Sequence, residues 1–179
     1  MRKDIIAVIA VLLGLCLLAN GVEIQSVEEY ELIHTQDITP DSDTAFISIS
    51  CKTILDNYGR LDDNLKDEKY VPSNGVILEK SEYALLPGDS AFSLLQRAVR
   101  ACGIQMEYQG ASENRFGSVY VQGINYIYEF SCGAHSGWLY CVNGSFPKLG
   151  CSEYTLSDGD VVEWIYTCNL GADCGAEIN

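Results

Sequence analysis

Cys132 and His135 come closer than any other residues in this chain to a reactive pair: a thiol with a base beside it, or half of a metal site. Neither reading is completed. The other histidine, His34, lies in an acidic segment near the N-terminus, and the Cys-Cys-His-His spacing of a zinc site is absent. Asp158 and Asp160 flank Gly159 and offer two carboxylates, as acid-base catalysis requires, yet Asp and Gly are also what a tight turn selects. The pairs Asp62-Asp63 and Asp67-Glu68 lack the Asp-x-Asp-x-Asp-Gly order that wraps calcium, so they read as a solvated loop. With no phosphate-binding loop either, the residue types predict no catalytic residue, no metal ligand and no resident cofactor.

The elements that must position these side chains follow from periodicity and turn chemistry. The spacing predicts a first strand over 44–55, with Ile47, Ile49 and Cys51 on one side and Phe46 either at its edge or packed under a neighbouring loop. A polar loop over 56–75 ends in Pro72-Ser73-Asn74-Gly75, and a second strand follows near 76–84. Pro87-Gly88-Asp89-Ser90 then opens a helix capped by Asp89 or Ser90, with Phe92, Leu95, Val99 and Cys102 at helical spacing and Leu94 and Ala98 widening the stripe. Gly103 ends it, and Cys102 is expected to point inward.

Short strand-like runs follow at 104–108, 118–122, 126–130, 138–142 and 161–167. Asn143-Gly144 supplies the positive φ angles of a two-residue turn, and a second turn at 157–160 precedes the last run. In the 126–130 run, Glu129 marks the face it shares with Ile127 as solvated, so Tyr126, Tyr128 and Phe130 are expected in the core. The same logic buries Val162, Trp164 and Tyr166. For Trp138 and Tyr140 against Leu139 and Cys141, both choices stay open. Two strands, a helix and several strands make an α+β plan.

The chain has 179 residues and a formal charge of −14 at pH 7, which opposes binding of nucleic acid. Met1-Arg2-Lys3 followed by the apolar run 5–19 has the order of an export signal, with Ala19 and Gly21 placed for cleavage before Val22. Residues 1–21 are therefore read as a signal peptide or a membrane anchor. Residues 22–43 carry Glu and Asp with no Lys or Arg and read as an acidic linker, and 44–179 as the folded domain. Export favours disulfides, and loss of Cys16 with the signal would leave the odd set Cys51, Cys102, Cys132, Cys141, Cys151, Cys168 and Cys174.

The stretches ISCKTILDN at 49–57, VPSNGVIL at 71–78, YEFSCGAHSGWLYCVNGSFPKLGCS at 128–152 and DGDVVEWIYTCNLGAD at 158–173 resemble the transcobalamin-like C-terminal domain family. The resemblance implies a β-grasp-like mixed sheet packed on a single helix. It implies staples at the family's cysteine positions, expected as Cys51 with Cys168 and Cys132 with Cys151, while Cys102, Cys141 and Cys174 depart from the pattern. In animal relatives of this domain the ligand is a corrinoid, for which Trp138 and Tyr140 would be the contacts here. The functional expectation is a non-catalytic exported or cell-surface interaction module displayed on an acidic stalk. The alternative is a domain that binds a small cobalamin-like ligand. Its expected partner is an envelope protein or a small molecule, and it meets the membrane only through its N-terminal segment.

Overall fold

The computed structural model describes residues 38–115 and 117–176. The expected signal or anchor and most of the acidic linker lie outside these residues. No helix among the described residues is long and apolar enough to cross a membrane.

The main sheet grows from one strongly alternating strand. In β1 (Thr44–Ser50), Ala45, Ile47 and Ile49 are wholly buried while their neighbours are half-exposed, so one face of the pleat meets the core. The expected strand over 44–55 stops earlier than its apolar pattern suggested. After Ser50 the backbone turns into α1 (Lys52–Asp56), which buries Ile54. Phe46 is not at an edge: it lies within β1, paired with Glu82 on one side and Val161 on the other, half-buried on the outer face with the Lys80 ammonium 4.6 Å from its ring centroid. β2 (Val76–Ala84) pairs antiparallel to β1, and β7 (Val161–Thr167) pairs parallel to it with Ile47 opposite Val162. β6 (Gly137–Val142) then lies antiparallel on β7, giving the order β2-β1-β7-β6.

A parallel β1-β7 pair requires a long crossover, and the chain between them supplies the helix and a second sheet. α2 (Ala91–Ala101) buries Ala91, Phe92, Leu94, Leu95, Ala98 and Val99. Each large side chain among these contributes about 1.5 to 3 kcal/mol when removed from water. Its start is doubly specified: the Ser93 amide donates to Ser90 Oγ at 3.2 Å while the Ser90 amide donates to Ser93 Oγ at 2.8 Å. Asp89 anchors the same end, accepting from the Leu86 amide and the Ser93 hydroxyl, each at 2.8 Å, and pairing with buried Arg97. Arg97 also donates to the Ala84 carbonyl at 3.0 Å, so one cation ties the helix to the end of β2.

Gly103 takes φ +64° beyond the helix, as its sequence position predicts. Cys102 does not point inward: it is the exposed C-cap residue, one step past the stripe that faces the sheet.

The smaller sheet has the order β3-β4-β5, from β3 (Met106–Gln109), β4 (Tyr120–Ile124) and β5 (Ile127–Tyr128). Here the expected core face is inverted. Ile127 is wholly buried, whereas Tyr126 and Phe130 are 51% and 60% exposed. The alternation fails because Asn125 and Tyr126 both adopt left-handed backbone, φ 53° and 65°, and make the turn between β4 and β5. Long-range partners hold that turn. Asn125 Nδ2 donates to the Lys69 and Tyr70 carbonyls at 3.1 and 2.9 Å, and the Tyr126 amide donates to Gln105 Oε1 at 2.8 Å.

In β7 the expected inward face is observed, with Val162, Trp164 and Tyr166 at 0%, 2% and 0% exposure. Trp138 joins the sheets by donating its indole N–H to the Ile127 carbonyl at 2.8 Å. The architecture is thus α+β, a mixed sheet on a principal helix, as the sequence resemblance implied.

Candidate functional site

An apolar cavity opens beside the outer strand of the main sheet. The β6 residues Trp138 and Tyr140 sit on its wall with Trp164 from β7 and Tyr120 and Val121 from β4. Phe146, Pro147 and Leu149 come from the loop beyond the Asn143-Gly144 turn, and Leu170 and Ala176 from the C-terminal segment. Its volume is about 600 Å³. That lies within the roughly 300 to 1,000 Å³ range of small-molecule sites.

Local chemistry explains how the loop comes to face the sheet. Asn143 and Gly144 take φ 52° and 76°, and the Val142 and Ser145 backbones exchange hydrogen bonds of 2.8 and 3.0 Å, closing a two-residue turn. No strand follows, and 146–150 instead folds back over Tyr140. The Tyr140 hydroxyl donates to the Leu149 carbonyl at 2.6 Å. Gly150 permits a close approach, since a Cβ there would lie 1.9 Å from Ser118 Oγ.

Burial does not divide the strand's two faces into one wet and one dry. Trp138 and Cys141 are buried, and Leu139 and Tyr140 are half-buried. Tyr140 stacks obliquely on Trp164 with ring centroids 5.8 Å apart. Burial first, then the neighbouring Cys151, Tyr154 and Glu153, pushes the Tyr140 hydroxyl well above its ordinary pKa, so it acts as a neutral donor. Tyr120 is held at about 12 by burial, then by Glu129, whose carboxylate accepts its hydroxyl at 2.5 Å. Trp164 Nε1 is buried without a hydrogen-bond partner among the described residues. The cavity therefore presents aromatic surface, with Ser118, Lys148 and Glu153 also on its lining.

Of the residues tied to a ligand by the resemblance, Trp138 and Tyr140 both line this cavity. Phe146, Leu149, Trp164, Leu170 and Ala176 had no such role assigned from sequence. The apolar Phe-Pro-Lys-Leu run after an Asn-Gly turn was the available signal for the loop.

The residues suggestive of catalysis are kept apart. The Cys132 thiol is buried and lies 3.5 Å from the Asn57 carbonyl, whereas His135 is exposed. Asp158 accepts from the Thr44 amide at 2.8 Å, and Asp160 accepts from the Ser157 amide at 2.9 Å and the Asn143 side chain at 2.7 Å. Both carboxylates thus serve the turn. Asp63 pairs with Lys66 at 2.7 Å, and no cluster of three or more metal-ligating side chains occurs among the described residues.

All seven described cysteines carry free thiols. The expected pairs, Cys51 with Cys168 and Cys132 with Cys151, are not joined in the structure, and the Cys132 and Cys168 thiols are neighbours. Cys151 lies in the cavity wall with its sulfur 3.4 Å from the Val119 carbonyl. Burial pushes the Cys51, Cys151 and Cys168 thiols up to about 12, 11 and 12, with the Cys132 thiol adding to the effect at Cys168. These are shifts away from a reactive thiolate.

The fold defines a β-grasp-like α+β domain with a lateral aromatic cavity. Residues 88–167 match the family described as Domain of unknown function (DUF4430). No curated protein matches the sequence. Among solved structures, haptocorrin in complex with Cbi is similar at 13% identity and a TM-score of 0.45, over 74% of this chain and 27% of that one. The chain thus spans about a quarter of that protein's length.

Proposed function

We propose that this domain is a non-catalytic, exported or envelope-displayed binding module that receives a small, largely apolar ligand in the cavity beside β6. The observation that carries the reading is the concave wall of about 600 Å³ built from Trp138, Tyr140, Trp164, Phe146 and Leu149. Aromatic walls bind by burying ligand surface, and the Tyr140 hydroxyl holds the loop in place. The raised pKa values of the Cys51, Cys151 and Cys168 thiols, and the burial of Cys132 while His135 is exposed, support a binding role over a catalytic one. Corrinoids are the first ligands to test, because the family resemblance points to them. The N-terminal apolar run would supply export or anchoring, and the acidic segment a stalk.

The chain has two tryptophans, and both line the cavity. Intrinsic tryptophan fluorescence of the full-length chain therefore reports directly on the site. Titration with cobalamin and cobinamide, corrected for ligand absorbance, should give saturable quenching that weakens when Tyr140 is replaced by Ala. Absence of saturable quenching by corrinoids and by a panel of apolar small molecules would overturn the reading.

A second reading is favoured by a specific observation. Tyr126 and Phe130 are exposed aromatics held in left-handed backbone at φ 65° and 67°, a strained presentation suited to contact with another envelope protein. Loss of partner capture on replacing both, with corrinoid binding intact, would assign that role to this surface.

A further inference from the structure

Two wholly buried thiols converge beneath α1, from segments far apart in sequence. Cys132 follows β5 and Cys168 follows β7, and both have 0% exposure. Each is located by a residue of the same helical turn. Cys168 Sγ lies 3.8 Å from Thr53 Oγ1, and Cys132 Sγ lies 3.5 Å from the Asn57 carbonyl. Asn57 Nδ2 in turn donates to the Thr53 carbonyl at 2.9 Å, closing the frame. Thr53 lies in α1 and Asn57 caps its C-terminus, so both sulfurs sit against one short helix. The Cys132 thiol is near enough to Cys168 to raise its pKa further.

The surrounding backbone is equally constrained. The Cys132 amide donates to Ser136 Oγ at 3.0 Å, and the Tyr166 hydroxyl donates to the Tyr128 carbonyl at 2.7 Å beside that serine. On the other side the Cys168 amide donates to Asp173 Oδ2 at 2.8 Å.

We propose that Cys132 and Cys168 are joined by a disulfide in the mature protein, and that Cys51 and Cys151 remain thiols. The step needs an oxidant, which we take to be a low-molecular-weight disulfide such as oxidised glutathione or the disulfide of a thiol oxidoreductase. One protein sulfur attacks the oxidant and releases a thiol; the second protein sulfur then displaces the other half. One protein disulfide forms, the oxidant's disulfide becomes two thiols, and these carry away the two protons and two electrons.

The bridge would close residues 132–168 into a loop holding β6 and the 146–150 segment, two parts of the cavity wall. The inference does not depend on the ligand reading. Because burial disfavours a thiolate at Cys168, the bond forms during folding, before the site closes, and resists reductant once the domain is folded.

The test refolds the full-length chain with oxidised and reduced glutathione, alkylates remaining thiols, and maps peptides without reduction. Trypsin, chymotrypsin and a glutamate-specific protease together cut between every two cysteines of the described set. The expected result is one linked peptide pair carrying Cys132 and Cys168, with Cys51 and Cys151 alkylated. Reduction under unfolding conditions followed by refolding in reductant should lower the melting temperature by roughly 10 °C. The paired replacement of Cys132 and Cys168 by Ser should melt alike with and without reductant. Recovery of Cys132 linked to Cys151, of Cys168 linked to Cys51, or of Cys132 and Cys168 both alkylated would overturn the proposal. The map is made on the native sequence, so it decides the matter even where the variant does not fold.

Discussion

Raising the pH under reducing conditions should destabilise this domain through its thiols. Cys51, Cys151 and Cys168 are 0%, 5% and 0% exposed, and burial lifts them from an ordinary 9.0 to about 12, 11 and 12. In the unfolded chain each releases its proton near 9, while in the folded domain each keeps it. The unfolded state therefore binds fewer protons across this window, and stability falls as pH rises. The contribution is fully present below the unfolded pKa and is lost as pH climbs towards the folded values. Between about pH 8 and about pH 9.5 each thiol costs just under 1 kcal/mol, so the three together remove about 2 kcal/mol. Against a total of about 5 to 15 kcal/mol for a typical domain, that is a large fraction. Tyr83 and Tyr120, held at about 12 chiefly by burial, begin to add only near their ordinary 10, which is why the window stops below it. Urea unfolding followed by circular dichroism at the two pH values, in a phosphine reductant, measures the loss. Cys51→Ala should remove about one third of the pH slope, whatever it costs at neutral pH. A stability that stays flat or rises between the two pH values would refute the reasoning.

Two further outcomes follow from the helix anchor and the cavity loop. Asp89→Asn leaves the buried Arg97 guanidinium without its carboxylate and should cost about 3 to 5 kcal/mol in urea unfolding. Adding Arg97→Met should recover part of that loss, because no charge is then buried alone; strictly additive effects would mean the pair is not coupled. Gly150→Ala places a Cβ 2.2 Å from Ser118 Cβ, and Ser118 is itself within 2.8 Å of Ser152 Oγ. It should cost about 1 to 3 kcal/mol and weaken ligand binding several-fold as the loop shifts. An unchanged urea midpoint would show that the backbone yields freely there.

The α+β plan was legible in the motifs. The site was legible only in part: Trp138 and Tyr140 were implied as contacts, but nothing in their spacing indicated a cavity or the loop that closes it. Local physics was strong enough to place β1, β2, α2 and β7, because each carries its own periodicity and its own stop or start. The Ser90 cap, the Gly103 C-cap and the Asn143-Gly144 turn depend on residues within a few positions of one another, and such signals survive without tertiary context.

Tertiary structure alone decided three other things. Tyr126 and Phe130 face solvent because Asn125 is held left-handed by carbonyls of residues 69 and 70, more than fifty positions away. The cavity exists because the Tyr140 hydroxyl captures a loop carbonyl instead of a strand continuing past the turn. Cys132 stands by Cys168 because Thr53 and Asn57, on a helix whose start looked like more strand, set where both sulfurs rest. A periodicity reports which way a side chain points within its own element. Which distant group it meets is set by how the elements close on one another, and that is fixed only when the whole core is buried.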